Sequence, residues 1–383
     1  MKVLQTIPSL QVSWGGPSTC TCDLLEGLYD VNANVDLLTS DAACADDVVL
    51  GKGRPWMKLV EHDWKTPMAL SKNIKSFLSD SDYDLYHANT MWLYTSHITC
   101  ETARKKRRPY VLSPHGMLYP TALKVKPWKK WPMRKLWFDK DIAQADCLHA
   151  TCEQEMKYIR EFGYKGPIAV IPNPVVFPEG VDLRTSAPSK KVLGYLGRLH
   201  PIKKVENLLQ GASLALGKGC DIPFSIDVMG KGSDDYERFL KNEVIRLGLE
   251  GMVNFVGFVQ GREKYERLAN IWTLFVPSAQ ENFVMIVPEA LICGTPVYAS
   301  LGTPWGELND CGCGWWKDNS PEMIAEVIIK SLHKSDDDIL VMGIRGRSLM
   351  EKKYEQHKVA QMMVDLYDWI LGKGAKPKFV YEL

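Results

Sequence analysis

Residues 192–204 read VLGYLGRLHPIKK. A short apolar run, 192–196, leads to a glycine and then to Arg198, His200, Lys203 and Lys204, after which helix-period residues cover 205–216. A strand that ends at glycine and hands over to a helix is the repeating piece of an α/β domain with a parallel sheet. The piece recurs downstream. Strand-like runs at 224–229, 253–256, 274–276 and 296–299 alternate with helical patterns at 234–247, 263–270, one ending at 293, and 321–334.

Upstream the same alternation is present. Apolar runs at 2–7, 35–38, 85–87, 110–113, 147–151 and 168–171 are separated by helical segments, the first from about residue 18. Ile171-Pro172-Asn173-Pro174 and the polar stretch 178–191 then interrupt the pattern. For 383 residues two domains are the default. The fold class predicted is α/β, with two Rossmann-like domains in series: 1–172, a linker at 173–191, and 192–365. A closing helix and tail over 366–383 return to the first domain. The helices over 337–371 come too late to add a strand, and the lysine-rich tail 372–378 reads as solvated. Open parallel sheets bind ligands beyond the carboxyl ends of their strands. The expected site is therefore the cleft between two such sheets.

Composition narrows the function classes. A net charge of +1 gives no global reason to expect nucleic acid. The N-terminus, MKVLQTIPSLQ, carries too short an apolar run for a secretory signal, and no window approaches the roughly 20 apolar residues of a membrane span. A cytoplasmic protein is predicted. Ten cysteines, including Cys44, are scattered without a C-x-x-C pair, which favours free buried thiols over a zinc site.

Three glycine-containing turns follow strands. Arg198 and Lys203 beside Gly197 offer a planar fork and a point charge, a set suited to a diphosphate, although a solvated basic turn is the plainer alternative. Gly15-Gly16-Pro17 opens a helix, where backbone N–H groups approach an anion, or simply forms a tight strand-to-helix turn. Gly230-Lys231-Gly232 lacks the third glycine of a dinucleotide loop, Asp235 standing there, and no serine or threonine follows its Gly-Lys pair. Nicotinamide and ATP readings lose ground.

Two acids, Glu281 and Glu289, lie eight positions apart in 276–300, VPSAQENFVMIVPEALICGTPVYAS. Paired carboxylates suggest a sugar-cleaving couple. However, Pro288 favours a first helical turn, so Glu281 falls in a loop and Glu289 on the following helix. Even on one helix they would stand about 80° and 12 Å apart. A hydrolytic dyad is disfavoured.

Together Gly197-Arg198 with Lys203, Glu281-x7-Glu289 and Gly294-Thr295-Pro296-Val297 closely resemble the retaining glycosyltransferases of family 4, which have the GT-B fold. Gly15-Gly16-Pro17, Ser113-Pro114-His115-Gly116-Met117, Ile171-Pro172-Asn173-Pro174 and Gly230-Lys231-Gly232 fall where that family places similar motifs. Thr303-Pro304-Trp305 and Gly312-Cys313-Gly314-Trp315-Trp316 resemble the members that build bacterial surface polysaccharides.

The resemblance implies that a hexose or N-acetylhexosamine moves from a UDP- or GDP-sugar to a glycan or lipid-linked acceptor. Arg198 and Lys203 would hold the diphosphate and stabilise the leaving group, a task for fixed cations in a partly dry site. Glu289 would bind the ribose hydroxyls and Glu281 the sugar ring. The backbone of Phe283, Val284, Met285 and Ile286 would complete the donor site, with Gly16, Gly230 and the surroundings of Phe258 contributing. His115 would meet the transferred sugar from the first domain. A lone histidine without that match is more often structural. No metal or other cofactor is implied, since Asp336-Asp337-Asp338 begins a late surface helix instead of a D-x-D loop. No carboxylate is obviously placed as a nucleophile, which favours a front-face path in which the leaving phosphate takes the acceptor's proton.

One departure stands out. The family usually has glycine after the phenylalanine, and Val284 occupies that place. A β-branched residue restricts the backbone and adds bulk facing the sugar, and catalysis survives there provided φ is negative.

Residues 124–138, KVKPWKKWPMRKLWF, carry Lys124, Trp128, Lys129, Lys130 and Trp131 and no acid. Such a mix suits acceptor presentation at an anionic membrane surface, on the inner face of the cell membrane. It equally suits a helix whose Met133, Leu136 and Trp137 pack inward while lysines face solvent. The two readings are compatible. An epimerase or hydrolase of the same fold and a silent sugar-nucleotide binder remain alternatives; slow release of nucleoside diphosphate from a sugar-nucleotide panel separates them.

Overall fold

The computed structural model describes residues 1–42, 47–65 and 68–383, with the side chain of Lys129 also outside the described residues. The chain forms two compact units, residues 1–176 with 354–383, and residues 177–353.

The first unit is built on seven parallel strands: β1 (Val3–Ser9), β2 (Val35–Ser40), β3 (Met57–Val60), β4 (Leu85–Asn89), β5 (Tyr110–Ser113), β6 (Cys147–Ala150) and β7 (Ile168–Val170). The sheet order is β7-β6-β5-β4-β1-β2-β3, and a short strand, Val380–Tyr381, adds antiparallel to β7. Every residue of β1, β4, β5 and β6 is buried, because helices cover both faces. That is why these strands read as continuous apolar runs.

Two strands of this unit escaped the sequence reading. β3 is a half-buried edge strand interrupted by Lys58, so it has no apolar run to signal it. The terminal strand corrects the expectation that the chain end adds none: Val170 N–H bonds Phe379 O at 2.9 Å and Val380 pairs with Ala169. The return to the first unit also begins earlier than 366. Val175 N–H bonds the Tyr354 carbonyl at 2.8 Å, and the helix Gln356–Ile370 then packs on the helix Gly16–Asp30. The contact is close enough to require glycine, since a Cβ at Gly27 would lie 2.8 Å from Gln356 Cγ.

The second unit has six parallel strands: β8 (Val192–Leu196), β9 (Ser225–Met229), β10 (Val253–Gly257), β11 (Thr273–Val276), β12 (Val297–Ser300) and β13 (Gly314–Lys317), in the order β10-β9-β8-β11-β12-β13. Strand β13 is the piece read above only as a Gly-Trp motif; a Cβ at Gly314 would sit 2.0 Å from Val297 O. The expected linker is shorter than 173–191. From Phe177 onward the chain belongs to the second unit, and Arg184 fastens it by bonds to Gly294 O (2.7 Å) and Ile271 O (2.9 Å).

The strand orders locate the ligand sites. In each sheet the chain winds outward in both directions from a central pair, β1/β4 in the first unit and β8/β11 in the second. Connections on either side of such a switch point leave to opposite faces, opening a crevice at the strands' carboxyl ends.

Candidate functional site

In the second unit the switch point brings together the loops after β8 and β11. The β8 loop turns at Gly197, exposes Arg198, and forms a single 3-10 turn over Pro201–Lys203. The β11 loop carries Glu281. Although 78 positions apart in sequence, Lys203 Nζ and Glu281 Oε1 form an ion pair, with side chains about 20% and 16% exposed. A backbone bond joins the two loops, Ala279 N–H donating to Ile202 O at 2.8 Å, while Glu281 N–H donates to Gly302 O at 2.9 Å on the loop after Val297–Ser300. Arg198 is exposed on the same loop and takes part in no ion pair among the described residues. Tyr195 OH bonds its carbonyl at 3.0 Å, so the backbone is fixed while the guanidinium is available.

The loops after β8, β9 and β10 are laced side by side. Gly197 N–H bonds Met229 O (3.0 Å), Leu199 N–H bonds Lys231 O (2.9 Å) and Gly230 N–H bonds Gly257 O (2.7 Å). A Cβ at Gly230 would lie 1.9 Å from Gly197 O, so close backbone packing accounts for that glycine. Phe258 follows Gly257 and is 62% exposed, an aromatic face left open at the strand end.

Glu289 stands in the first turn of the helix Ile286–Ile292, with Pro288 beside it. A partner absent from the sequence reading holds it: Lys264, on the helix Gly261–Ala269, donates to Glu289 Oε1 at 2.8 Å. Burial raises the Glu289 pKa and the Lys264 charge opposes that rise. The signal that could have found Lys264 is only positional; nothing in its spacing from Glu289 announces contact.

Between the two acids lies the main correction. Val284 has φ +66°, so the condition of a negative φ set for this position is not met. A β-branched residue in the left-handed region is an outlier. The surroundings impose it. Phe283 is buried with its ring edge-on to Trp305 (centroids 5.2 Å apart), and Trp305 Nε1–H donates to Phe283 O at 2.6 Å. Val287 N–H bonds Val284 O at 3.0 Å, starting the helix, and Trp316 Nε1–H fixes the Thr303 carbonyl at 2.8 Å beneath. Tertiary bonds thus keep the backbone path that glycine would take unaided, and the strain, of order 1–3 kcal/mol, stays in the loop. Met285 and Ile286 follow, half-buried.

In the first unit the β1 loop turns at Gly15 (φ +77°), and Gly16 begins the helix Gly16–Asp30. A Cβ on either glycine would meet nothing within 4 Å, so this loop edge is open. The β5 loop places His115 in a left-handed turn (φ +50°), followed by Gly116 at φ +78°. His115 Nε2 lies 3.2 Å from Asn89 Oδ1 at the end of β4, and the buried Glu155 accepts from Gly116 N–H. Burial drives the His115 pKa down to about 3, keeping the ring neutral.

The basic, tryptophan-rich segment forms the helices Pro120–Lys124 and Pro127–Met133 and a π-turn, Arg134–Phe138. Trp128, Trp131 and Leu136 are about 70%, 66% and 71% exposed, and Lys124 is exposed too, whereas Lys130 bonds Ala122 O. Of the anticipated inner face, Met133 and Trp137 pack inward, Trp137 stacking on His97 at 4.8 Å, but Leu136 does not. The wider π-turn shifts the phase that a 3.6-residue period assumes. Among the described residues no helix is long and apolar enough to cross a membrane.

Comparison with known proteins follows this division. Residues 14–177 match the family described as Glycosyltransferase Family 4, and residues 184–345 match Glycosyl transferases group 1. Among curated proteins, the D-inositol 3-phosphate glycosyltransferase of Rhodococcus erythropolis is 30% identical over 180 residues, 42% of this chain and 39% of that one. The enzyme of the same name from Corynebacterium urealyticum is 26% identical over 260 residues, covering 61% and 59%. The chain therefore spans about two-fifths to three-fifths of the length of these relatives. Among solved structures, Anabaena HepE in complex with UDP and glucose superposes with a TM-score of 0.73 at 20% identity, over 96% of this chain and 100% of that one. The fold is GT-B.

Proposed function

We propose that this chain, with its GT-B fold, is a retaining glycosyltransferase that moves a hexose or N-acetylhexosamine from a UDP- or GDP-sugar to a glycan or lipid-linked acceptor. The observation that carries this reading is the convergence of Lys203 and Glu281 at the switch point of the second sheet, with Arg198 on the same loop. A cation already paired with an acid, beside one that is not, suits a ligand bearing both a diphosphate and a polyol. Arg198 takes the diphosphate; Lys203, shared between phosphate and Glu281, bridges to the sugar ring whose hydroxyls Glu281 accepts. Glu289, anchored through one oxygen by Lys264, keeps its other oxygen for the ribose. Phe258 offers an apolar face to the base. Gly230 acts through packing, holding the β8 and β9 loops together.

In the first unit we assign His115 to a hydroxyl of the transferred sugar and the Gly16 N–H to an anionic oxygen. Charge developing on the departing diphosphate is stabilised by Arg198 and Lys203, which need no reorganisation at the moment of reaction. The leaving phosphate oxygen accepts the acceptor's proton on the face from which it departs, giving retention without a metal. HepE's complex with UDP and glucose supports a UDP donor; the match to D-inositol 3-phosphate glycosyltransferases supports a polyol or glycan acceptor. We place its role in bacterial surface polysaccharide synthesis, on the motifs Thr303-Pro304-Trp305 and Gly314-Trp315-Trp316. The exposed Trp128, Trp131 and Lys124, with Lys129 and Lys130 alongside, would bring it as a peripheral protein to an anionic cytoplasmic membrane face.

The test is a panel of UDP-, GDP- and ADP-sugars, read as thermal stabilisation and as slow release of nucleoside diphosphate. One nucleotide should raise the melting temperature and Lys203→Ala should abolish the rise. Absence of stabilisation by every nucleoside diphosphate would refute the reading.

A further inference from the structure

Behind His115 a single file of hydrogen bonds crosses the core of the first unit. His115 Nε2 contacts Asn89 Oδ1 (3.2 Å), Asn89 Nδ2 contacts Gln5 Oε1 (2.9 Å), and Gln5 Nε2 contacts the Tyr367 hydroxyl (2.9 Å). The file continues from Tyr367 OH to His87 Nδ1 (2.7 Å), from His87 Nε2 to Ser113 Oγ (2.6 Å), and from Ser113 Oγ to His149 Nδ1 (2.7 Å). It ends where His149 Nε2 meets the Ile171 carbonyl at 2.8 Å. Gln5, His87, Asn89, Ser113, His149 and Tyr367 are all buried.

The direction of every bond follows from the last. A carbonyl only accepts, so His149 Nε2 carries a proton. The imidazole is buried and neutral, its pKa held down to about 4, so its Nδ1 is a lone pair. Ser113 has one proton and must give it to that lone pair. Its oxygen then accepts from His87, placing a proton on His87 Nε2 and a lone pair on Nδ1, His87 also being held neutral by burial. Tyr367 gives its only proton to His87 Nδ1, so its oxygen accepts from the Gln5 amide nitrogen. Gln5 Oε1 then faces Asn89, which must present its own amide nitrogen there and its oxygen to His115. His115 Nε2 is therefore a donor, and Nδ1 holds the lone pair. Among the described residues Nδ1 has no protein partner, and it is not among the buried unpartnered atoms, so it is open to solvent. Glu155, on the helix Glu153–Phe162 behind this loop, has both oxygens engaged, by Gly116 N–H and by Thr151.

We propose that Tyr367, acting through Gln5 and Asn89, locks His115 as the Nε2–H tautomer, so that this histidine meets its ligand only as an acceptor at Nδ1 and selects a hydroxyl over a phosphate or carbonyl oxygen. The C-terminal helix that carries Tyr367 is then a positioning element for the β5 loop as well as a packing one. This deepens the assignment of His115 to a sugar hydroxyl and rests on it; the tautomer itself stands on the hydrogen-bond geometry together with the neutrality of the buried His87 and His149 rings.

The experiment is long-range proton–nitrogen correlation NMR on the full chain labelled at histidine ring nitrogens, with His115→Asn, His87→Asn and His149→Asn used only to assign signals. The expected spectrum has His87, His115 and His149 all as neutral Nε2–H rings. A His115 signal from the Nδ1–H form or from imidazolium near neutral pH overturns the proposal, whether or not any variant folds. In Tyr367→Phe the Gln5 nitrogen loses its acceptor, and the His115 signal should move toward a mixture of tautomers; an unchanged signal overturns the role of Tyr367. A parallel melt distinguishes failure of the functional reading. If UDP-sugars stabilise wild type no more than UDP while the Nε2–H signature is present, the sugar assignment fails and the tautomer assignment stands.

Discussion

Val284 offers a test of the loop geometry that depends on a sign as well as a size. At φ +66° its Cβ crowds the following carbonyl, which costs an L-residue roughly 1–2 kcal/mol, with a β-branched residue toward the upper end. Val284→Ala keeps the Cβ and so most of that cost, while losing two half-buried methyl groups, about 1 kcal/mol of apolar burial. Val284→Gly loses the same methyls but removes the Cβ clash, against roughly 0.5–1 kcal/mol of added chain entropy in the unfolded state. The glycine variant should thus exceed the alanine variant by about 0.5–1 kcal/mol. At a negative φ the order reverses and alanine leads by a similar amount. For a unit of this size the expected gap is about 1–4 °C in melting temperature, glycine above alanine. Melts of the full chain in matched buffer decide it. Alanine melting above glycine would refute the left-handed assignment and, with it, the argument that Trp305 and the helix start impose the turn.

Four further outcomes follow. Lys203→Ala should cost about 1–2 kcal/mol, between a surface and a buried pair, and Glu281→Gln should cost less in that background than alone, read as a coupling energy from urea titrations. Trp305→Phe leaves the Phe283 carbonyl without its 2.6 Å donor, so about 1–3 kcal/mol should be lost; recovery of full stability would remove Trp305 as the clamp. Glu289 has a folded pKa raised above its unfolded value by burial, so it binds more protons folded than unfolded between those two values, and stability declines as pH rises through that window. Lys264→Met removes the opposing charge, so the decline should widen upward in pH, and Lys264→Met/Glu289→Gln should flatten it; melts across pH 4–8 report the difference. For the basic segment, flotation with liposomes should require anionic lipid and weaken with salt, and a Trp128→Ser/Trp131→Ser variant should float less.

The repeating strand-to-helix units, hence two parallel-sheet domains, are legible letter by letter, because buried central strands need continuous apolar runs. Equally legible are the residue types in the turns beyond the strands, Gly197-Arg198, Lys203, Glu281, His115 and Gly15-Gly16, and Glu289 on the helix that follows. Edge pieces were not legible, since β3 and the terminal strand carry half-exposed or very short patterns, and the return point at Tyr354 is set by a backbone bond to Val175 that no side chain advertises. Tertiary structure alone decided the partners. Lys203 meets Glu281, and Lys264 meets Glu289, because the strand order sets distant loops side by side. It alone decided the sign of φ at Val284, where local preference points the other way and bonds from Trp305 and the helix start prevail. The file from His115 to Ile171 belongs to the same class: Gln5, His87, Asn89, Ser113, His149 and Tyr367 look unremarkable in sequence, and only their enclosure in one core, where each polar atom must find a partner, gives the chain of protons a direction.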